Sequence, residues 1–305
     1  MRHVALGIAL LMAAGCSSTV VTPGPVAAGD AFGTDAHLAP SEPDAVLRYA
    51  DHPRGFAELR LPDGKGPFPL AVIFHGGCWK AGIANQAYMA PLATRWQRQG
   101  IASLNVDYRE VGDGGGWPDS FEDWQAAAAL VERVAAAHPI DRARVTLVGH
   151  SAGALPAQWL AMAQNENGPL GAREPLAVRA AIVLDGPADV GAERGAFDAL
   201  CEFSAVDPFM GGAPDAKPVR YAAIAPAGHA PLLEELLFVQ AVLPPPPEPA
   251  QAAIRVGGTR LEVRENPGAS HFDVLTPGSE TYAANEPALL KVLRGGEVHM
   301  SANAK

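Results

Sequence analysis

The chain has 305 residues, 48% of them hydrophobic, and a formal net charge of -10. That length accommodates one α/β domain of about 250 residues with an extension, and the apolar content argues against general disorder. An acidic chain without a Lys/Arg cluster argues against nucleic acid as a partner, and no stretch reaches the roughly 20 apolar residues that cross a bilayer as a helix.

Arg2 and His3 begin the chain, an apolar run follows over residues 4–14, and Ala13-Ala14-Gly15-Cys16 comes next. This resembles the lipobox of bacterial lipoproteins, although Ala13 stands where that motif usually has Leu. The resemblance implies a signal peptide over residues 1–15, cleavage before Cys16 and lipid on its thiol. The protein is then expected to be exported to the bacterial cell envelope and held on the membrane by that lipid. An ordinary secretory signal, in which Cys16 has no role, is the alternative. Residues 16–43, rich in Ala, Gly, Pro, Thr and Ser, read as a flexible tether ahead of a domain at 44–305. With Cys16 lipidated, Cys78 and Cys201 remain. An exported protein could pair them, but sequence does not give their separation.

Within the domain, strand and helix patterns alternate, which predicts a mostly parallel sheet flanked by helices. Residues 56–61 alternate as an edge strand would, and Pro62-Asp63-Gly64 makes a turn. Residues 70–74 form a continuous apolar run, as a strand buried on both faces does. Residues 88–99 have helical spacing and stop at Gly100. A strand at 101–106 precedes a long helix at 121–137, with Trp124, Leu130, Val131 and Val134 on its buried side. A buried strand at 145–148 leads to a helix over 152–164, in which Pro156 fits only near the first turn. Strands are predicted at 181–184, 236–242 and 260–263, and a terminal helix at 286–293. Residues 186–233 show little periodicity and read as a cap inserted between two strands.

Gly149-His150-Ser151-Ala152-Gly153 follows one buried strand and precedes a helical run. This is the G-x-S-x-G elbow in its strand-turn-helix context. So tight a turn needs glycine on either side, and it thrusts the Ser151 hydroxyl out at the carboxyl end of the sheet. The Ala152 amide then points at developing negative charge. His75-Gly76-Gly77-Cys78-Trp79 follows another buried strand, and the Gly76 and Gly77 amides could serve the same oxyanion. His75 reads as a support for that loop, and Trp79 and Trp117 as walls of a pocket mouth. Gly268-Ala269-Ser270-His271-Phe272-Asp273 follows the last alternating strand and offers His271 as the base a nucleophile requires. His150, His138 and His229 are less well placed. No Cys/His/Asp spacing suggests a metal, and no cofactor is implied.

HGGCWKAG, NVDYRE, GHSAG and HFDVL occur in that order. Together they resemble α/β-hydrolase esterases of the carboxylesterase and kynurenine formamidase-like group, over residues 56–293. The resemblance implies Ser151 as nucleophile, His271 as base and acid, and Gly76, Gly77 and Ala152 around the oxyanion hole. It gives Asp107, Tyr108 and Arg109 a structural role. That family places an Asp after the strand preceding the last one, yet here Leu243-Pro244-Pro245-Pro246-Pro247-Glu248 follows. Asp185, at the end of the strand 181–184, is the first candidate for the acid, Glu248 the second, and no working acid the third possibility. Asp273 is too close to His271 in sequence to orient it, and Asp189 reads as a local cap.

Three functions are compatible with these residues: an esterase for small to medium esters working through an acyl-enzyme; an amidase, arylformamidase or peptidase with the same nucleophile; or a non-catalytic lipid-anchored binding protein. The substrate in the first two is a small-molecule ester or amide.

Overall fold

The computed structural model describes residues 38–164 and 168–296. The signal segment at 1–15, Cys16 and the tether up to residue 37 lie outside the described residues.

Eight strands form one sheet in the order β1-β2-β4-β3-β5-β6-β7-β8. β1 (Ala45–Arg48) and β2 (Phe56–Arg60) run antiparallel at one margin. β3 (Phe68–Phe74), β4 (Ala102–Val106), β5 (Ile140–His150), β6 (Ala180–Leu184), β7 (Glu235–Gln240) and β8 (Arg260–Glu265) are mutually parallel. Every residue of β3, β4, β6 and β7 is buried, as continuous Val/Ile/Leu runs require when helices cover both faces. β8 is only half-buried and closes the other margin.

Two apolar clusters fill the two sides of the sheet. One packs α2 (Asp119–Ala128), α3 (Leu130–Ala137), α4 (Ala154–Trp159) and α8 (Glu248–Val256) through Phe121, Val131, Leu155 and Ile254. The other packs α1 (Ala90–Arg98) and α9 (Glu280–Arg294) through Leu92, Trp96, Leu289 and Val292. This is the α/β-hydrolase architecture that the sequence predicts.

Several boundaries differ from expectation. The strand at 56–61 is not an edge, because β1 pairs outside it with Ala45 opposite Leu59. The helix expected at 121–137 divides at Ala129, whose backbone stays in the right-handed helical region. Pro156 is the third residue of α4, where its missing N–H costs no hydrogen bond. α8 begins directly after four prolines and has no counterpart in the predicted elements. The segment between β6 and β7 holds α5 (Arg194–Cys201), α6 (Val206–Met210) and α7 (Pro218–Ala222). A disulfide joins Cys78 to Cys201 with Cα atoms 6.1 Å apart, so this segment is tied to the loop after β3.

Candidate active site

The carboxyl ends of β3, β5 and β6 bring three chemical groups to one rim. β5 runs straight into Ser151, whose φ of 54° lies in the left-handed region, as the strained elbow demands. A Cβ on Gly149 would stand 1.9 Å from the Gly153 carbonyl oxygen, and one on Gly153 would stand 2.2 Å from the Phe74 oxygen. Both glycines are therefore sterically required, and the elbow lies directly against the end of β3. Ser151 is 2% exposed and opens the short helical turn Ser151–Gly153, in which Ala152 is the second residue, near its positive end.

Asp185 follows β6, again with a left-handed φ, of 43°. Its Oδ2 lies 2.7 Å from His271 Nδ1, although the two residues belong to segments 86 positions apart. The Asp185 carboxylate also accepts the amides of Ala241, Val242 and Leu243 at 2.9–3.1 Å. Burial alone would raise its pKa. The His271 hydrogen bond and charge, with the Ala241 and Val242 amides, overcome burial and hold it below the usual Asp value. The turn after β7 thus supplies amides where the family usually has the acid itself. Glu248 is exposed at the start of α8. Asp273 accepts the Ser270 amide within its own turn, and Asp189 accepts the amides of Gly191 and Ala192.

The Ser151 hydroxyl makes no hydrogen bond among the described residues. Its surroundings are nevertheless those of the Asp185–His271 pair. A Cβ on Gly186 would stand 2.8 Å from the Ser151 carbonyl oxygen, and the rings of His150 and His271 are 4.4 Å apart at their centroids.

In the loop after β3, a Cβ on Gly76 would meet Ser151 Cβ at 2.8 Å, which places Gly76 against the elbow. Its N–H, expected to serve an oxyanion, instead donates to the Tyr88 hydroxyl. The Gly77 N–H makes no hydrogen bond among the described residues. His75 is fully buried; its Nε2 faces Asp107 Oδ1 at 3.1 Å, its Nδ1 faces the Gly76 oxygen at 2.6 Å, and its ring stacks on Tyr108. Asp107 and Glu110 share the Arg54 guanidinium, each 2.9 Å from it, with Asp113 at 3.4 Å. Arg109 holds Asp123 and Asp119. These residues buttress the loop from below.

The family model BD-FAE matches residues 58–231, which run from β2 through the elbow, Asp185 and α5–α7. The chain belongs to the BD-FAE family. The BD-FAE match ends before β7, so His271 lies beyond it. Among curated proteins, the chain is similar to a "Probable isoprenylcysteine alpha-carbonyl methylesterase ICMEL1" of Oryza sativa subsp. japonica, 34% identical over 107 residues. The alignment covers 35% of this chain and 24% of that protein, so the chain spans about a quarter of the length of this relative. Among solved structures, native esterase Est2 of Thermogutta terrifontis has a TM-score of 0.64 and 20% identity, covering 88% of this chain and 99% of that one. Its propionate-bound form has a TM-score of 0.62 and 19% identity, covering 91% and 98%. At that identity the likeness is one of fold.

One further feature of this BD-FAE chain departs from the reading of its sequence. Trp79 does not wall a mouth; it is fully buried and packs on Phe209 and Phe197, with centroids at 4.5 and 4.8 Å. Trp117 is half-buried against Phe121, with Arg220 over its ring. Tyr88, Arg54, Glu110 and the amides of Ala241–Val242–Leu243 are site residues that sequence reasoning passed over. The only available signal was Tyr88, an aromatic a short loop beyond the glycines.

Proposed function

We propose that the chain is a serine hydrolase that cleaves carboxylic esters of short acyl chains through an acyl-enzyme. The observation that carries this reading is the Asp185–His271 hydrogen bond of 2.7 Å beside a strained nucleophile elbow. Asp185 keeps the proton on His271 Nδ1, so Nε2 is the free base. Ser151 Oγ gives its proton to Nε2 and attacks the ester carbonyl. The Gly77 and Ala152 amides receive the negative charge, each worth about 10²-fold to 10³-fold in rate. His271 then protonates the leaving alcohol, and water activated by the same imidazole releases the acid. The hydroxyl–imidazole contact closes with substrate, as catalytic hydrogen bonds left long in a free enzyme commonly do.

The names of the relatives, a methylesterase and an esterase with propionate bound, support an ester substrate and a short acyl group. The Asp185–His271 pair favours a catalytic over a non-catalytic reading, which arose from the missing acid after β7. Export with lipid on Cys16 belongs to the same proposal, and the Cys78–Cys201 disulfide favours an oxidising compartment.

The test is labelling with a fluorophosphonate, together with turnover of p-nitrophenyl acetate and butyrate. The protein is expected to label at Ser151 and to show a burst. Ser151→Ala should lose labelling and about 10⁶-fold in kcat. A folded protein that neither labels nor turns over these esters refutes the reading. Mass spectrometry of the N-terminal peptide from membranes tests the lipid on Cys16.

A further inference from the structure

One hydrogen-bond chain joins the loop after β3 to the loop after β8, and the acyl-transfer steps above make no use of it. It begins at the Gly76 N–H, which donates to the Tyr88 hydroxyl. The Tyr88 hydroxyl lies 2.8 Å from His150 Nδ1. His150 Nε2 lies 3.0 Å from the backbone oxygen of His271. A carbonyl oxygen only accepts, so Nε2 is the donor in that last bond. His150 is buried beside another imidazole, and burial followed by the His271 charge pushes it well below the usual His range. The ring is therefore neutral, Nδ1 is an acceptor, and the Tyr88 O–H proton points at it. The Tyr88 oxygen is then left to accept from Gly76. Every donor and acceptor along the chain has one assignment, running from Gly76 to Tyr88 to His150 to His271.

The packing makes this chain stiff. Tyr88 is 4% exposed and His150 is 1% exposed. Phe272 meets both rings, at 6.2 Å from Tyr88 and 5.4 Å from His150. His150 itself precedes the nucleophile, so the chain passes through the elbow on its way from one loop to the other.

We propose that Tyr88 and His150 are positioning residues, which hold the glycine loop, the nucleophile elbow and the His271 loop in register through this one hydrogen-bond chain. Neither side chain touches the reacting atoms. Tyr88 fixes the peptide of Gly76, and so the direction of the next amide, Gly77. His150 fixes the main chain of His271, and so the height of its imidazole above the elbow. The inference rests on the serine hydrolase reading for its effect on rate, but the register itself is a property of the fold.

The experiment cuts each link separately. Tyr88→Phe removes the Gly76 acceptor and the His150 partner while keeping the ring. His150→Asn keeps an acceptor at the Nδ1 place and no longer reaches the His271 oxygen. Each variant should lower kcat for p-nitrophenyl acetate about 10-fold to 10²-fold, the scale of a misplacement of about 1 Å, with KM within about threefold. The double variant should be no slower than the worse single, because a chain already cut is not cut again. Hydrogen–deuterium exchange supplies a readout independent of turnover: Tyr88→Phe should speed exchange in the 266–273 loop as well as around Gly76. Kcat within twofold of the parent, multiplying effects in the double variant, or exchange that changes only around Gly76 would each overturn the inference. A parent protein without Ser151-dependent labelling sinks the hydrolase reading instead, and the exchange result still decides the register.

Discussion

Asp185 Oδ2 stands 2.7 Å from His271 Nδ1, and the same carboxylate is cradled by three successive amides from the turn after β7. On the serine hydrolase reading proposed above, the acid stands one strand along the sheet from its place in the esterases this sequence resembles, and the turn after β7 supports it. Replacing the carboxylate by an amide would place N–H groups against Nδ1 and favour the wrong imidazole tautomer. Asp185→Asn should therefore fold and lose about 10⁴-fold in kcat. Glu248→Gln, at an exposed helix start, should match the parent. Steady-state turnover of p-nitrophenyl acetate by the two variants decides it, and an Asp185→Asn enzyme within tenfold of the parent removes Asp185 from the mechanism.

The elbow glycine Gly149 and the helical glycine Gly195 differ in the space around them. A methyl at position 149 would overlap the Gly153 oxygen at 1.9 Å, whereas a methyl at position 195, in α5, meets nothing within 4 Å. Gly149→Ala should cost more than about 3 kcal/mol or prevent folding, since backbone must move. Gly195→Ala should gain about 0.5–1 kcal/mol from helix propensity. Urea unfolding curves of the two variants test this contrast, and equal midpoints would contradict it.

Much of this site is legible in the sequence because it depends on local geometry. GHSAG after a Val/Leu run forces the elbow, and two glycines after residues 70–74 force the second loop. His271 is a candidate base from its place after the last alternating strand. What was hidden depends on contacts between distant segments. That Asp185 rather than Glu248 faces His271 Nδ1 depends on a contact between segments 86 positions apart, which no side-chain pattern reveals. The diversion of the Gly76 amide turns on a tyrosine hydroxyl 12 residues away. The helices α5–α7 span 5 to 8 residues each, too short for a periodic signal, and β1 has only four half-buried or exposed residues.

Two buried glutamates should give the fold an unusual response to pH. Burial pushes both Glu110 and Glu193 up to about 7. For Glu110 the single Arg54 cation is divided among three carboxylates, so it does not offset the desolvation. A carboxyl raised in the folded state contributes stability that is complete below its unfolded value of 4.5 and is lost as pH rises through about 7. Asp185 acts the other way: its lowered value gives stability that is present above 3.8 and lost as pH falls. Stability should therefore peak between these windows and decline from about pH 4.5 to about pH 7. Glu193→Gln keeps the acceptor for the Ala188 and Asp189 amides and should remove about one proton's worth of that slope. Guanidinium titrations at several pH values measure it, and a slope unchanged by Glu193→Gln would contradict the assignment.

The disulfide sets a further expectation, because Cys78 directly follows the glycine loop and Cys201 ends α5. The bond spans a sequence separation of 123, and closing a loop of that length restricts the unfolded chain by about 5 kcal/mol in the entropic account, of which about 2–5 kcal/mol is commonly realised. Trp79, next in sequence to Cys78, packs on Phe197 and Phe209 from the same β6–β7 segment. The covalent tie and the aromatic stack therefore hold the same two parts together, and losing one leaves the other in place at 25 °C. Cys201→Ser should accordingly lower the unfolding midpoint markedly while keeping fluorophosphonate labelling at Ser151. Reductant should bring the parent to the variant's midpoint and leave the variant unaffected. Trp79→Ala in the Cys201→Ser background should cost both stability and labelling, because the covalent tie and the aromatic stack are then both gone. Thermal scans with and without reductant, read beside labelling rates, separate the two ties. Free thiols at Cys78 and Cys201 in the unreduced protein would show that the tie is not formed.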